Sequence, residues 1–491
     1  MVLAMATAAF VHFLRGESLT VVGNTYAAHV TCSVLFGTSR SLDSVQNAEL
    51  YFPPLSFGRT FDIQRENRCV SVGLSSFVLR HDLSTTYCWI SERLGCARNN
   101  TWASNIIKET YEERMKNAQE IELSRLQSWP RGDVIDTNTA NLANTANSDN
   151  TDDTIQACFE EVAASHFERD VRLHSRALLI IKNNQIVYEK YKHGFNHLTR
   201  LHGWSMTKSI LNTLIGIRIH QGKLSLTTLL VDLLPSESVH EENVGLSIYD
   251  LLTMTDGMNI DEVYQPGSKI VSMLFEAPAL ETVVRTTGQR PDGHGCFQYS
   301  SLASNYLSMA LSGSFDTIEK YLQFPTTALF QPLGMHSSII ETDANGIFIA
   351  SSFSWMTARD WARLGLLYSN DGIWQGERLL PSGWVDMSRT PTKNSRNTYG
   401  GHFWLGGLKD QNQTRDDQCD LVFPRRVQNR RALREGFPTG TMIMKGFEDQ
   451  VVAISPESQT VIVRLGATKP ILSWDKTKFY QSLYQCLSLY V

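Results

Sequence analysis

The segment Gly203-Trp204-Ser205-Met206-Thr207-Lys208-Ser209 leads directly into an apolar run that continues to Ile219. The run has helical length, and Ser205 stands at its N-terminus. A residue placed there has a backbone N–H with no intrahelical acceptor, free to face a developing oxyanion. Lys208, three residues on, brings its amine to the same helix face as the hydroxyl. A serine hydroxyl needs a neighbouring base to attack near neutral pH, and a lysine amine desolvated in a cleft can serve as one.

Alone, Ser-x-x-Lys is a weak signal. About one or two copies arise by chance in a chain of this length. Ser473-Trp474-Asp475-Lys476 is such a copy, and nothing after it would complete a site. Without its surroundings, Ser205 reads equally well as a helix cap.

The surroundings define a fold class. Ala177 to Ile181 and Ile186 to Tyr191 read as two strands joined by the turn Lys182-Asn183-Asn184-Gln185. From Ser205 to about Leu380 the patterns are mostly helical. Strand patterns return at Phe403 to Leu405, Thr441 to Met444, Val451 to Ile454 and Val461 to Leu465, and a last helix begins near Lys476. Strands at both ends with a helical block between them predict an α/β (α+β) domain. It has an antiparallel sheet flanked by helices and an inserted all-helical lobe at about 205–380.

Upstream, residues 19–100 read as a small β-rich extension, with strands at Val30 to Phe36 and Cys69 to Leu74. Residues 101–154 read as a charged helix over 103–128 followed by an Asn/Thr/Asp-rich linker from Gly132 to Thr154. The linker is too polar to offset its ordering entropy by burial. Phe159 to Phe167 reads as a helix opening the domain 155–491. Residues 1–18 carry an apolar stretch, Met1 to Leu14, that reads as a signal or membrane-anchor segment, or else as a buried helix.

Composition excludes some classes. The chain is 42% hydrophobic, so it can bury a large core, and its formal charge of −5 argues against a nucleic-acid partner. The eight cysteines show no zinc-ligand spacing, and a serine nucleophile with a lysine base needs no metal or organic cofactor. Four cysteines between Cys32 and Cys96 suit one or two disulfides, and sequons stand at Asn99-Asn100-Thr101 and Asn412-Gln413-Thr414. Together they predict a protein that is secreted, periplasmic or membrane-anchored outside the cytosol.

Ser205 to Ser209, then Gly222-Lys223-Leu224 and Leu251-Leu252-Thr253-Met254-Thr255-Asp256-Gly257-Met258, resemble the serine β-lactamase and penicillin-binding-protein superfamily. The likeness is to its class C-like branch, near 6-aminohexanoate-dimer hydrolases and esterases. Met356 to Leu367, Asn370 to Trp374 and Leu380 to Val385 extend the resemblance, which covers about 155–470. It implies a hydrolase of small amide or ester substrates that works through an acyl-enzyme on Ser205, with Lys208 as base.

The family's second motif, Tyr-x-Asn, falls on Tyr299-Ser300-Ser301. The resemblance gives Tyr299 the proton relay and puts Ser301 in the asparagine's place. The third motif, Lys-Thr-Gly or His-x-Gly, falls on Lys445-Gly446-Phe447-Glu448-Asp449-Gln450. Phe447 stands where a cation or imidazole belongs, and Asp449 where a glycine belongs. The oxyanion donors are expected to be the N–H groups of Ser205 and Gln450. Lys445 keeps the facing of Phe447 and can supply charge. Tyr264 resembles a loop aromatic that contacts substrate.

The altered third motif supports a rival reading, a catalytically degenerate member kept as a binding or structural subunit. Two other motifs fail. Gly203 to Thr207 lacks the second glycine of an α/β-hydrolase elbow, and Gly216 to Leu224 misses phosphate-loop spacing.

Overall fold

The computed structural model describes residues 21–38, 40–50, 59–74, 85–98, 119, 121–135, 149–265, 267–407, 417–422, 436–469, 472 and 474–490. The proposed signal or anchor segment, both sequons, Ser473 and most of the charged stretch 103–128 lie outside them; 121–125 is helical.

The extension contributes an antiparallel sheet of β1 (Arg59–Gln64), β2 (Cys69–Leu74), β3 (Thr85–Ser91) and β4 (Gly95–Arg98) in sequential order. Residues 21–37, however, are a helix, so the expected strand at Val30 to Phe36 is corrected. Tyr26, His29, Val30 and Ser33 recur at helical spacing and are all buried. That tertiary burial overrides the β propensity of the valines and threonine. All eight cysteines are bridged, as Cys32–Cys96, Cys69–Cys88, Cys158–Cys486 and Cys296–Cys419.

The linker reading is corrected at both of its ends. Residues 149–154 already belong to the helix Asp149–Ala164, which begins well before the expected Phe159 and passes into a π turn, Ser165–Arg169. Asp133 is held by Arg363 at 2.8 Å, and Arg363 and Arg359 also take the carbonyls of Pro130, Gly132 and Asp133. Buried guanidinium donors thus fix a stretch that has little apolar surface of its own.

β5 (Ser175–Lys182) and β6 (Gln185–Tyr191) form the expected hairpin, with Asn183 and Asn184 both at positive φ as a two-residue turn requires. Two smaller sheets break the helical block. One is β7 (Leu201–His202), β8 (Ile339–Ile340) and β9 (Ser354–Met356), in the order β7-β9-β8. The other is the hairpin of β10 (Ile373–Trp374) and β11 (Glu377–Arg378). The lobe is therefore not all-helical; strands of two or three residues are too short to show a period. The main sheet is completed by β12 (Trp404–Leu405), β13 (Met442–Gly446), β14 (Gln450–Ser455) and β15 (Thr460–Gly466). Its order is β12-β13-β14-β15-β5-β6, antiparallel throughout.

Both faces of this sheet are covered, which is why its strands read as continuous apolar runs. Leu178, Ile180, Val451 and Ile462 pack with the terminal helices Asp149–Ala164 and Lys476–Leu487. Leu179, Ile181, Val452, Val461 and Val463 face the lobe, where the helix Ala358–Ser369 lies on the sheet. The disulfide Cys158–Cys486 pins the two terminal helices together across 328 residues of sequence.

Candidate active site

The helix Thr207–His220 is buried along its first eleven residues, so it runs through the core and not over the surface. Its entry is a tight 3-10 turn, Trp204–Met206, carrying Ser205. Trp204 sits at φ +49°, a left-handed conformation that is costly for a bulky residue and characteristic of functional turns. Hydrogen bonds hold the turn in that shape. The Gly203 N–H donates to the Ser354 carbonyl at 2.8 Å, and the Thr207 hydroxyl donates to the Trp204 carbonyl at 2.6 Å. Glycines let the backbones close in. A Cβ on Gly203 would stand 2.4 Å from the Trp361 ring, and one on Gly446 would stand 2.2 Å from the Gly203 carbonyl. β13 thereby reaches the Ser205 turn directly.

Lys208 is almost fully buried at 1% exposure. Its Nζ lies 3.3 Å from Ser205 Oγ, 3.1 Å from Ser301 Oγ and 2.8 Å from the Ser351 carbonyl. Three oxygens thus surround one amine. Ser351 is itself set by Asn305, whose Oδ1 accepts its N–H at 2.9 Å. His402 braces the lysine's backbone through Nδ1 to the Lys208 carbonyl at 3.0 Å, and burial, then the Lys208 charge, hold this imidazole down to about 3.

Tyr299 meets the same amine with its ring, the centroid 5.0 Å from Lys208 Nζ. It stacks on Trp404 at 5.2 Å and meets Tyr399 edge-on. Among the described residues, its hydroxyl makes no hydrogen bond to Ser205 or Lys208. The convergence is ring-to-ammonium, an arrangement that favours the cation electrostatically.

Ser301 caps nothing; its hydroxyl is shared between Lys208 and a carboxylate that sequence reasoning missed. The Ser301 hydroxyl donates to Glu262 Oε1 at 2.5 Å, and its N–H donates to Oε2 at 2.8 Å. Tyr264 donates to the same Oε1 at 2.7 Å and lies 3.3 Å from Ser301 Oγ. About half the Tyr264 surface is exposed while its hydroxyl points inward. Burial of that tip, then the Glu262 charge, raise the phenol well above its ordinary value. The spacing Glu262-x-Tyr264 was visible, since residues two apart on an extended segment share a facing.

The third motif is a hairpin turn between β13 and β14. Gln450 opens β14, and its N–H is given to the Phe447 carbonyl within the turn. Its side chain bonds Gly466 through both the N–H and the carbonyl. The expectation of an oxyanion donor at Gln450 is therefore corrected, because the turn already consumes that donor. Glu448 and Asp449 have φ of +59° and +61°, which explains why glycine is the natural occupant there. Ionic contacts replace glycine's freedom. Asp449 is paired with Lys476 and accepts from the Trp474 indole, Glu448 is 2.7 Å from Lys469, and the buried Arg464 donates to the Asp449 carbonyl. Lys476, from the chance Ser-x-x-Lys copy, thus has a structural partner. The Asp449 carboxylate is committed to these partners. Phe447 is half exposed on the rim, edge-on to Trp204 at 5.3 Å. Lys445 lies on β13, partly buried.

The beta-lactamase family profile matches residues 156–471. The chain belongs to the beta-lactamase family. A 6-aminohexanoate-dimer hydrolase of Paenarthrobacter ureafaciens is 25% identical over 304 residues, 59% of this chain and 72% of that protein. Two solved structures share the beta-lactamase fold. One is EstCE1, a hydrolase with promiscuous acyltransferase activity (TM-score 0.52, 16% identity, 68% of this chain and 99% of that one). The other is a Bacillus anthracis protein provisionally described as a 6-aminohexanoate-dimer hydrolase (TM-score 0.51, 16% identity, 67% and 81%). Among the described residues, no helix is long and apolar enough to cross a membrane, and no group of His, Cys, Asp and Glu is placed to hold a metal. The four disulfides fit a location outside the cytosol.

Proposed function

We propose that this beta-lactamase-family chain is a serine hydrolase of small amide or ester substrates, acting through an acyl-enzyme on Ser205. One observation carries the reading: a buried lysine amine 3.3 Å from the hydroxyl of a serine at a strained helix entry. Ser205 Oγ attacks the carbonyl carbon while its proton passes to Lys208. Lys208 then gives that proton to the leaving group and later takes one from water, while the Tyr299 ring, 5.0 Å from its Nζ, steadies the cation. The Ser205 N–H is one oxyanion donor.

The rim narrows the substrate class. Phe447 occupies the place of a carboxylate-binding cation, and Tyr264 stands exposed beside Ser301. Exposed aromatic side chains suit an apolar, uncharged acyl group better than a free carboxylate. Relatives named as a dimer hydrolase and a promiscuous hydrolase support amide or ester chemistry.

The same Phe447 and Asp449 favour a second reading, a site kept for binding without turnover. Labelling the folded chain with a fluorescent fluorophosphonate separates the two. Covalent label that Ser205→Ala abolishes is the expected result. No label, together with no hydrolysis of short p-nitrophenyl esters, overturns the hydrolase.

A further inference from the structure

The hydrogen-bond chain behind Lys208 ends on Glu262, a residue no family motif assigns. Directionality along it is forced. The Ser351 carbonyl can only accept, so it takes one Lys208 N–H. Glu262 as a carboxylate can only accept, so the Ser301 hydroxyl proton points to Oε1, 2.5 Å away. Ser301 Oγ must then accept a second N–H from Lys208. Two of the amine's three positions are pinned, and the third faces Ser205 Oγ at 3.3 Å. That position carries a proton in the ammonium and a lone pair in the neutral amine.

We propose that Glu262 is a positioning residue for the reaction, the terminal proton store of a wire running Ser205–Lys208–Ser301–Glu262. The inference rests on the serine hydrolase reading. From the ionised pair, Lys208 gives a proton to Ser301 Oγ as Ser301 gives its own to Glu262. The amine becomes neutral with its lone pair toward Ser301, Glu262 becomes a carboxylic acid, and a turn about the Cε–Nζ bond brings that lone pair round to face Ser205 Oγ. Lys208 then takes the Ser205 proton as the bond from Ser205 Oγ to the carbonyl carbon forms. The net transfer is one proton from Ser205 to Glu262, with Lys208 again an ammonium. The reverse path returns that proton through Lys208 to the leaving group as the acyl–leaving group bond breaks.

Glu262 is 7% exposed, so it is shielded from bulk water that would otherwise exchange the stored proton. Besides Ser301 and Lys208 along the wire, the ionisable groups around it are Tyr264, hydrogen-bonded to it, and Tyr399, which its charge also reaches. The wire also gives Ser301 a use in place of the family's asparagine. An amide could accept from the lysine but could not relay a proton onward in this way.

The test is the single-turnover modification of Ser205 in the whole chain, phosphonylation by a fluorophosphonate and acylation by a p-nitrophenyl ester, comparing Glu262→Gln, Glu262→Asp, Ser301→Ala and the double variant Glu262→Gln/Ser301→Ala. Glu262→Gln is expected to slow acylation by roughly 10²-fold with KM little changed. Glu262→Asp is expected to recover at least about tenfold of that loss, and the double variant to be no slower than Ser301→Ala alone, as one wire cut twice must be. Should Glu262→Gln fail to fold, the Glu262→Asp and Ser301→Ala arms carry the test, each slower than the unaltered chain. Additive losses in the double variant, or label at Ser205 arriving at the unaltered rate in Glu262→Gln and Ser301→Ala, overturn this inference and leave the hydrolase standing. An unaltered chain that never labels overturns both.

Discussion

Tyr26 lies over Trp204 with their planes 7° apart and their centroids 6.1 Å apart. A residue of the N-terminal helix thus rests on the strained residue immediately before Ser205. Phe447 meets the same indole from the rim, and His202 packs against it at a tilt, 3.9 Å between centroids. The extension is part of the wall that holds the Ser205 turn.

A Tyr26→Leu variant keeps most of the volume and loses the aromatic contact, so a stability loss under about 1.5 kcal/mol is expected. The turn loses its ceiling, and a misplaced nucleophile costs rate more than binding. Acylation of Ser205 should fall about tenfold with KM unchanged. Single-turnover kinetics beside a thermal melt check it; equal losses in KM and kcat would refute the positioning role.

How much of this was legible follows from where the determinants lie. The hairpin at Asn183-Asn184 announces itself because both its turn residues and its strands are local, and Ser205 with Lys208 because one helical turn joins them. Val30 to Phe36 misread as strand because the helical face of 21–37 is defined only by what covers it, including Glu341, some three hundred residues away. Glu262 was passed over because its partner Ser301 is 39 positions distant. The Gln450 donor was misassigned because a three-residue turn, with two acidic residues at positive φ, displaces the hydrogen-bond register expected of a glycine-bearing strand. Contacts distant in sequence, and backbone shapes stabilised by ion pairs instead of glycine, leave no periodic trace.

Glu341 is the anchor between the extension and the beta-lactamase-family domain. Fully buried, it receives His29 Nε2 at 2.5 Å, the Ser33 hydroxyl at 2.6 Å, the Cys96 N–H at 3.0 Å and the Trp355 indole at 3.0 Å. Glu341→Ala orphans several buried donors at once, at about 1–3 kcal/mol each. A loss of roughly 3–5 kcal/mol in denaturant midpoint analysis is expected. A loss below about 1 kcal/mol would show that the extension is held elsewhere.

Phe447 offers a test of substrate charge that leaves the fold alone. It is 48% exposed, so substitution costs little packing. Phe447→Lys places an ammonium on the rim, where a charge-assisted hydrogen bond to a carboxylate contributes about 1.5–3 kcal/mol. The expected result is a rise of about tenfold in kcat/KM for an ester bearing a free carboxylate, relative to its neutral methyl ester. No change in that ratio would mean the rim does not meet the acyl group.

His402 makes stability depend on pH with a sign that can be worked out. Burial holds its imidazole down to about 3, against about 6.5 in the unfolded chain. Above pH 6.5 both states are neutral there and pH has no leverage. Between 6.5 and 3 the unfolded chain binds a proton that the folded site refuses, so acidification favours unfolding. Each such proton steepens the loss by about 1.4 kcal/mol per pH unit. His402→Gln removes this one group while its amide can still bond the Lys208 carbonyl and Ser304. Denaturant unfolding at pH 7.5, 6 and 5 should therefore show a shallower acid loss in the variant, by about that slope. Parallel curves for the two proteins would mean that His402 takes up its proton in the folded state, and the buried brace behind Lys208 would then be an imidazolium.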